Sequence, residues 1–346
     1  CIGGAVMVNF KELLSRDEYH FLKENEHLQN RIILLTLGGS HAYGTNNENS
    51  DIDIRGCALE RPSDLIGFSK FEEVIDLNTD TVIYSFNKLV RLLINCNPNT
   101  IEMLGCKPEH YLFLSKEGKS LLQNSKLFLS KKCINSFGGY AYQQLNRLSS
   151  ALARDRLSQT DKENHILNSL KSAMLSFEER YTKFEPGSIV LNIGKSKKAN
   201  LDSEIFVDIN LENYPLRDFA GILNEMQNIL KTYGKLNHRN KKKSEEGLDK
   251  HAMHLIRLYL MAIDILEREE IVTYREEDRE LLLDIRNGKF RRSDGTYDDS
   301  FFEMMEEYKK RFDYAAKNTS LPMKPDIKRI EEFVMDVNIR IIKEVY

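Results

Sequence analysis

The chain has 346 residues, 41% hydrophobic and 30% charged, and carries a formal net charge of −3. That composition is ordinary for a globular protein with room for two domains, and the near balance of charge excludes a global electrostatic pull toward nucleic acid. No apolar stretch approaches the roughly 18–20 residues that a membrane helix needs, so no membrane partner is expected.

No signal-peptide layout stands at the start, and Met7 reads as the natural first residue with Cys1–Val6 ahead of it. The five cysteines contain no C-x-x-C pair, which suits reduced thiols and a cytoplasmic setting. Asn9–Glu26 carries Phe10, Leu13 and Leu14 at helical spacing. Arg31–Leu37 and Asp51–Leu59 read as strands, with Val74–Leu77 and Thr81–Tyr84 as further short ones. Phe86, Leu89, Val90 and Leu93 recur at i, i+3, i+4 and i+7, one face of a helix. Asn97-Pro98 ends that helix and opens another, which carries Ile101, Glu102 and Leu104.

After about residue 126 the pattern is mainly helical: Leu127–Leu157, Asn164–Phe184, Leu216–Tyr233, Asp249–Arg268, Phe301–Lys317 and Lys328–Tyr346. Two β-rich runs, Ser188–Ile193 and Glu204–Ile209, interrupt it as a hairpin. The expected class is α+β: a catalytic core over 7–128, then a mainly helical domain over 129–346 that contains the hairpin.

Chemistry concentrates early. An apolar run ends in Gly38-Gly39-Ser40, and Asp51-Ile52-Asp53 follows ten residues later. On a strand, Asp51 and Asp53 share one face while Ile52 and Ile54 take the other. Paired carboxylates repel unless a cation lies between them, and Mg²⁺, which shares its coordination with substrate phosphates, suits them. The Gly-Gly-Ser turn lets backbone N–H groups approach a polyphosphate. Together these parts point to nucleotidyl transfer. A two-metal arrangement wants a third carboxylate; Asp80 is preferred and Asp76 is its rival.

Tyr43 and His41 follow the turn and are placed to meet a base or a phosphate, although a structural role serves His41 equally. Lys250, His254 and Arg257 line one helix stripe at i, i+4 and i+7, a pattern that serves either a triphosphate grip or an exposed, salt-bridged helix face. His251 and His254 lack a third ligand for a metal site. Local basic clusters stand at Lys195–Lys198, at Arg239 with Lys241–Lys243, and at Lys289–Arg292.

Gly39-Ser40 followed by Asp51-Ile52-Asp53 resembles the signature of the DNA polymerase beta nucleotidyltransferase superfamily. More narrowly, Gly38 to Thr45 together with Ser50 to Gly56 resembles the RNA-repair-pathway polymerase beta family. Asp80…Tyr84…Lys88, Asn97-Pro98-Asn99 with Glu102, Lys250…His254-Leu255-Ile256-Arg257-Leu258 and Ile285 to Lys289 extend the likeness over residues 31 to 292. The resemblance implies a polymerase beta-type core, a mixed sheet with helices, closed by a helical partner region. It implies Mg²⁺, with Mn²⁺ as a substitute, on Asp51 and Asp53, and Asp80 as the third carboxylate, helping to activate the attacking hydroxyl. Gly38, Gly39, Ser40 and Tyr43 would hold the nucleotide, and Lys88, Lys250, His254 and Arg257 would contact phosphate or acceptor. Relatives often carry Trp where Tyr84 stands, and this chain has no Trp. The expected reaction moves a nucleoside monophosphate from an NTP to an acceptor hydroxyl, with RNA or a tRNA end first. The alternatives are nucleotidylation of a protein or small molecule, and a non-catalytic nucleotide- or RNA-binding module.

Overall fold

The computed structural model describes residues 10–48, 50–156, 159–175, 177, 180–198, 202–239, 245–293 and 296–343. Cys1–Val6, Met7, Asn49 and Lys241–Lys243 lie outside the described residues. The strands are β1 (Ile32–Leu37), β2 (Ile54–Ala58), β3 (Glu73–Asp76), β4 (Thr81–Ser85), β5 (Tyr111–Leu114), β6 (Ile189–Lys195) and β7 (Ser203–Ile209). The helices up to Gln123 are α1 (Phe10–Leu13), α2 (Phe21–Glu24), α3 (Gly39–Tyr43), α4 (Pro62–Ile66), α5 (Phe86–Ile94), α6 (Pro98–Ile101) and α7 (Lys116–Gln123). Those beyond are α8 (Lys132–Arg156), α9 (Gln159–Leu175), α10 (Leu216–Arg239), α11 (Glu245–Arg268), α12 (Arg279–Arg286), α13 (Asp299–Asn318) and α14 (Ile327–Lys343).

By compactness the chain divides into two units. One holds the described residues of Cys1–Gln143, Met253–Arg292 and Tyr297–Tyr346; the other holds those of Gln144–Ala252 and Ser293–Thr296. The fold is α+β, and the first unit carries a five-stranded sheet in the order β3-β4-β2-β1-β5. The sheet is mixed: β2 and β4 run parallel, while the other neighbours are antiparallel. A parallel pair needs a long crossover, and the segment through α4 and β3 supplies it.

Leu35, Ile54, Ala58 and Ile83 form a core on the sheet with Leu13, Tyr19, Leu22, Leu28 and Phe71. The helix read from Phe86, Leu89, Val90 and Leu93 is α5, and all four residues are buried. Its start is capped by Ser85, whose side chain accepts from the Lys88 amide. Asn97 caps α6 in the same way, with Pro98 in its first turn.

Two local expectations change. Gly38-Gly39-Ser40 is more than a turn, because Gly39 opens the short helix α3, which closes at Gly44 with φ 77°. Asp51 and Asp53 also precede the strand rather than lying on it, since β2 begins at Ile54. The cause is in the partner strand: Ile54 pairs with Thr81, and Asp80 ahead of it has φ 45°, which turns the chain out of the ladder.

In the second unit, β6 and β7 pair antiparallel from Ile189↔Ile209 to Lys195↔Ser203, as a hairpin requires. Ile189 and Leu191 pack with Leu167, Leu170, Phe177, Ile222 and Met226. Among the described residues no helix is long and apolar enough to cross a membrane.

Candidate active site

Parallel pairing of β2 with β4 sets the residues before each strand side by side, and these are Asp53 and Asp80. Arg55 lies between them. Its Nη2 is 3.5 Å from Asp53 Oδ1 and 3.2 Å from Asp80 Oδ1, while its Nη1 donates to the carbonyls of Asp80 at 2.5 Å and Ile54 at 3.0 Å. The left-handed backbone of Asp80 is one that Asp tolerates better than most side chains. Asp51 is exposed and lines, with Asp80, Thr79, Asn78 and Arg16, a cleft of about 450 Å³. Asp76 is occupied differently: its Oδ2 accepts from the amide and the hydroxyl of Thr79, at 2.9 and 2.7 Å. It caps the turn that leads to Asp80.

The glycines press on the same acids. The Gly38 amide donates to the Asp53 carbonyl at 2.8 Å. Gly39 has φ 54°, and a Cβ there would stand 1.7 Å from Asp53 Oδ2. Only glycine lets this backbone approach the carboxylate. Ser40 is half-buried, and its carbonyl accepts from the Thr45 amide at 2.9 Å. His41 Nε2 lies 3.4 Å from the Ser50 carbonyl. A later segment holds the loop between α3 and Asp51: Tyr274 packs on Gly44, and Arg279 Nε donates to the Gly44 carbonyl at 2.8 Å. Arg286 donates to the Thr45 carbonyl and, at 3.0 Å, to Ser50 Oγ.

Tyr43 and Arg257 form a second, closed cluster. The Tyr43 hydroxyl lies 2.9 and 2.8 Å from the two oxygens of Glu102. Arg257 Nη1 donates to Glu102 Oε2 at 3.2 Å, and its guanidinium stacks 3.7 Å from the centre of the Tyr43 ring. All three side chains are buried. Burial pushes the Glu102 carboxyl up, opposed by Arg257 and by the hydrogen bond from Tyr43. Burial likewise pushes the Tyr43 hydroxyl well up, so it remains a donor to Glu102. His254 meets the Tyr43 ring edge-on at 6.3 Å.

The remaining sequence candidates lie elsewhere. Lys88 Nζ pairs with Glu73 at 3.0 Å beside the Tyr84 ring. Lys250 is exposed and belongs to the second unit. Among the described thiols, burial raises Cys57, Cys96 and Cys133 and pushes Cys106 up to about 12, which disfavours the nucleophilic thiolate.

Sequence reasoning assigned no role to Arg55, Arg279 or Arg286, and it gave Glu102 none beyond its place in a motif. Arg55 and Arg286 stand inside quoted motifs, so their positions were visible although their contacts were not. Among the described residues no group of three His, Cys, Asp or Glu side chains forms a ready-made metal cage. Mg²⁺ seldom uses one; it takes one or two carboxylates and completes its shell with water and substrate phosphates. The hard oxygens of Asp51, Asp53 and Asp80 suit that mode, and the Gly39 backbone leaves room for the Asp53 carboxylate.

Comparison with curated proteins and with solved structures returned no match. A family model described as RlaP, RNA repair pathway DNA polymerase beta family, matches residues 13–172, somewhat under half of the chain. The segment that carries the sheet and the three aspartates is therefore similar to the RNA repair pathway DNA polymerase beta family.

Proposed function

We propose that the chain is a Mg²⁺-dependent nucleotidyltransferase that moves a nucleoside monophosphate from an NTP to a hydroxyl on RNA, a tRNA end foremost, and releases pyrophosphate. The observation that carries the reading is that Asp53 and Asp80 immediately precede the first paired residues of two parallel strands, Ile54 and Thr81, with Asp53 against the Gly38–Gly39 backbone. Asp51 shares a cleft with Asp80, which supports their acting together.

In this reading Asp51 and Asp53 hold the metal, which when bound neutralises charge on the phosphates and on the attacking oxygen. Asp80 accepts the proton of the acceptor hydroxyl. The acceptor oxygen bonds to the α-phosphorus, the bond from that phosphorus to the bridging oxygen breaks, and pyrophosphate departs with the electron pair. Gly39 and Ser40 present backbone to the triphosphate, Gly38 being held to the Asp53 carbonyl, and Arg286 and Arg279 fix the loop that leads to Asp51. The burial of Arg257 against Glu102 supports a role through Tyr43 rather than direct contact with phosphate. Lys88 and His254 are the candidates for remaining phosphate or acceptor contacts within the first unit.

RNA as acceptor is supported by the family and by the exposed Lys195 and Lys197 at the hairpin end. The basic clusters are partly neutralised: Lys198 pairs with Glu204, Lys289 with Asp284 and Arg292 with Asp299. RNA binding is therefore expected to be modest and salt-sensitive. The test incubates the chain with Mg²⁺ and each α-labelled NTP, with total RNA, purified tRNA or no acceptor, beside Asp51→Asn. Label on RNA with the wild type alone supports the reading and names the nucleotide. Label on the protein itself points to protein nucleotidylation. Bound NTP with no transfer under any acceptor contradicts an RNA-directed transferase.

A further inference from the structure

The bridge between Asp53 and Asp80 is made by a side chain. Arg55 Nη2 faces Oδ1 of both acids, at 3.5 and 3.2 Å. Two carboxylates held side by side repel each other, and a guanidinium between them removes that cost. The same Arg55 is anchored separately, because its Nη1 donates to the carbonyls of Ile54 and Asp80. Those backbone contacts need neither carboxylate. Asp80 meanwhile has φ 45°, a left-handed conformation that strains a non-glycine residue, and the contact to its carbonyl helps to hold it.

A divalent cation seated on Asp53 or Asp80 must take lone pairs that the guanidinium now engages. It would also bring two further positive charges within a few ångströms of Arg55. The two cations cannot both be fully served. We propose that Arg55 is a built-in counter-ion, a positioning residue that holds Asp53 and Asp80 together until the metal arrives and then yields Asp53 to it. Metal affinity is thereby set partly by how readily Arg55 lets go. Its backbone anchors keep it at the strand while Asp53 changes partner. The inference rests on the assignment of Asp53 as a metal ligand made above.

The test reads Mn²⁺ binding by electron paramagnetic resonance, without nucleotide, for wild type, Arg55→Gln, Arg55→Lys and Asp53→Asn, with thermal unfolding with and without Mn²⁺. Arg55→Gln is expected to bind Mn²⁺ about tenfold more tightly than wild type, because the competing charge is gone. It should melt below wild type without metal, and the gap should close at saturating Mn²⁺; a purely structural role would leave the gap unchanged. Arg55→Lys keeps the charge without the fork and should fall between the two, which keeps the test decisive if Arg55→Gln does not fold. Mn²⁺ binding no tighter in either Arg55 variant, with Asp53→Asn still abolishing it, overturns the counter-ion role alone. Unchanged Mn²⁺ binding in Asp53→Asn overturns the metal assignment beneath it.

Discussion

Two ionic clusters in the first unit use the same chemistry and differ in their access to water. In Asp53–Arg55–Asp80 the side chains are 19%, 22% and 57% exposed, and the contacts are loose, at 3.5 and 3.2 Å. In Tyr43–Glu102–Arg257 the two charged side chains are 8% and 5% exposed. An ion pair in reach of solvent is worth about 1 kcal/mol or less, so a ligand can break it. A buried pair resists because removing one partner strands the other charge away from water. The wet cluster is free to change partners and suits chemistry; the dry one ties α3 and α11 to Glu102 and suits scaffolding.

The comparison can be broken from either side. The largest effect is expected at the dry cluster: Arg257→Ala should cost roughly 3–5 kcal/mol of stability by leaving Glu102 buried without its cation, read from denaturant unfolding. A loss under 1 kcal/mol would show that Glu102 takes up a proton or reaches water. At the wet cluster, Asp53→Asn should leave stability near that of wild type and lower transfer on the order of 10³-fold, about 4 kcal/mol of transition-state stabilisation. Gly39→Ala sharpens the link between turn and acid, since its Cβ falls on Asp53 Oδ2 and φ is 54°. Transfer should fall about 100-fold as the carboxylate is pushed aside, with a stability loss of roughly 1–2 kcal/mol. Tyr43→Phe should be the mildest, losing about 1–2 kcal/mol of stability as the donor to Glu102 disappears, with transfer within tenfold of wild type.

Much of this was legible in the chain. β1 to β4, the β6–β7 hairpin and α5 follow from hydrophobic periodicity, and the Asn97 cap follows from residue type and spacing; β5 and the Ser85 cap went unread. Gly38-Gly39-Ser40 with Asp51-Ile52-Asp53 pointed to the proposed chemistry, because a tight backbone approach and paired acids need those residue types. The exact start of β2 was not legible, since it depends on the conformation of Asp80, which stands just ahead of another strand. Nor was the pairing of Glu102 with Arg257, which joins residues 155 positions apart. A Lys-His-Arg stripe on a helix looks like a phosphate grip until tertiary packing places a carboxylate against its Arg. Arg55 alternates with Asp53 in the sequence, yet its bridge to Asp80 exists only because β2 and β4 run parallel.

The central claim is that the acids at the end of the sheet perform nucleotidyl transfer, and one measurement bears on it most directly. Single-turnover transfer from α-labelled NTP to RNA should be compared for wild type, Asp51→Asn, Asp53→Asn, Asp80→Asn and Asp76→Asn. The account predicts that the first three variants each fall on the order of 10²–10³-fold. Asp76→Asn, whose amide oxygen can still accept from Thr79, should stay within about tenfold. Transfer by Asp53→Asn within tenfold of wild type, or a loss in Asp76→Asn as deep as that in Asp80→Asn, would contradict it.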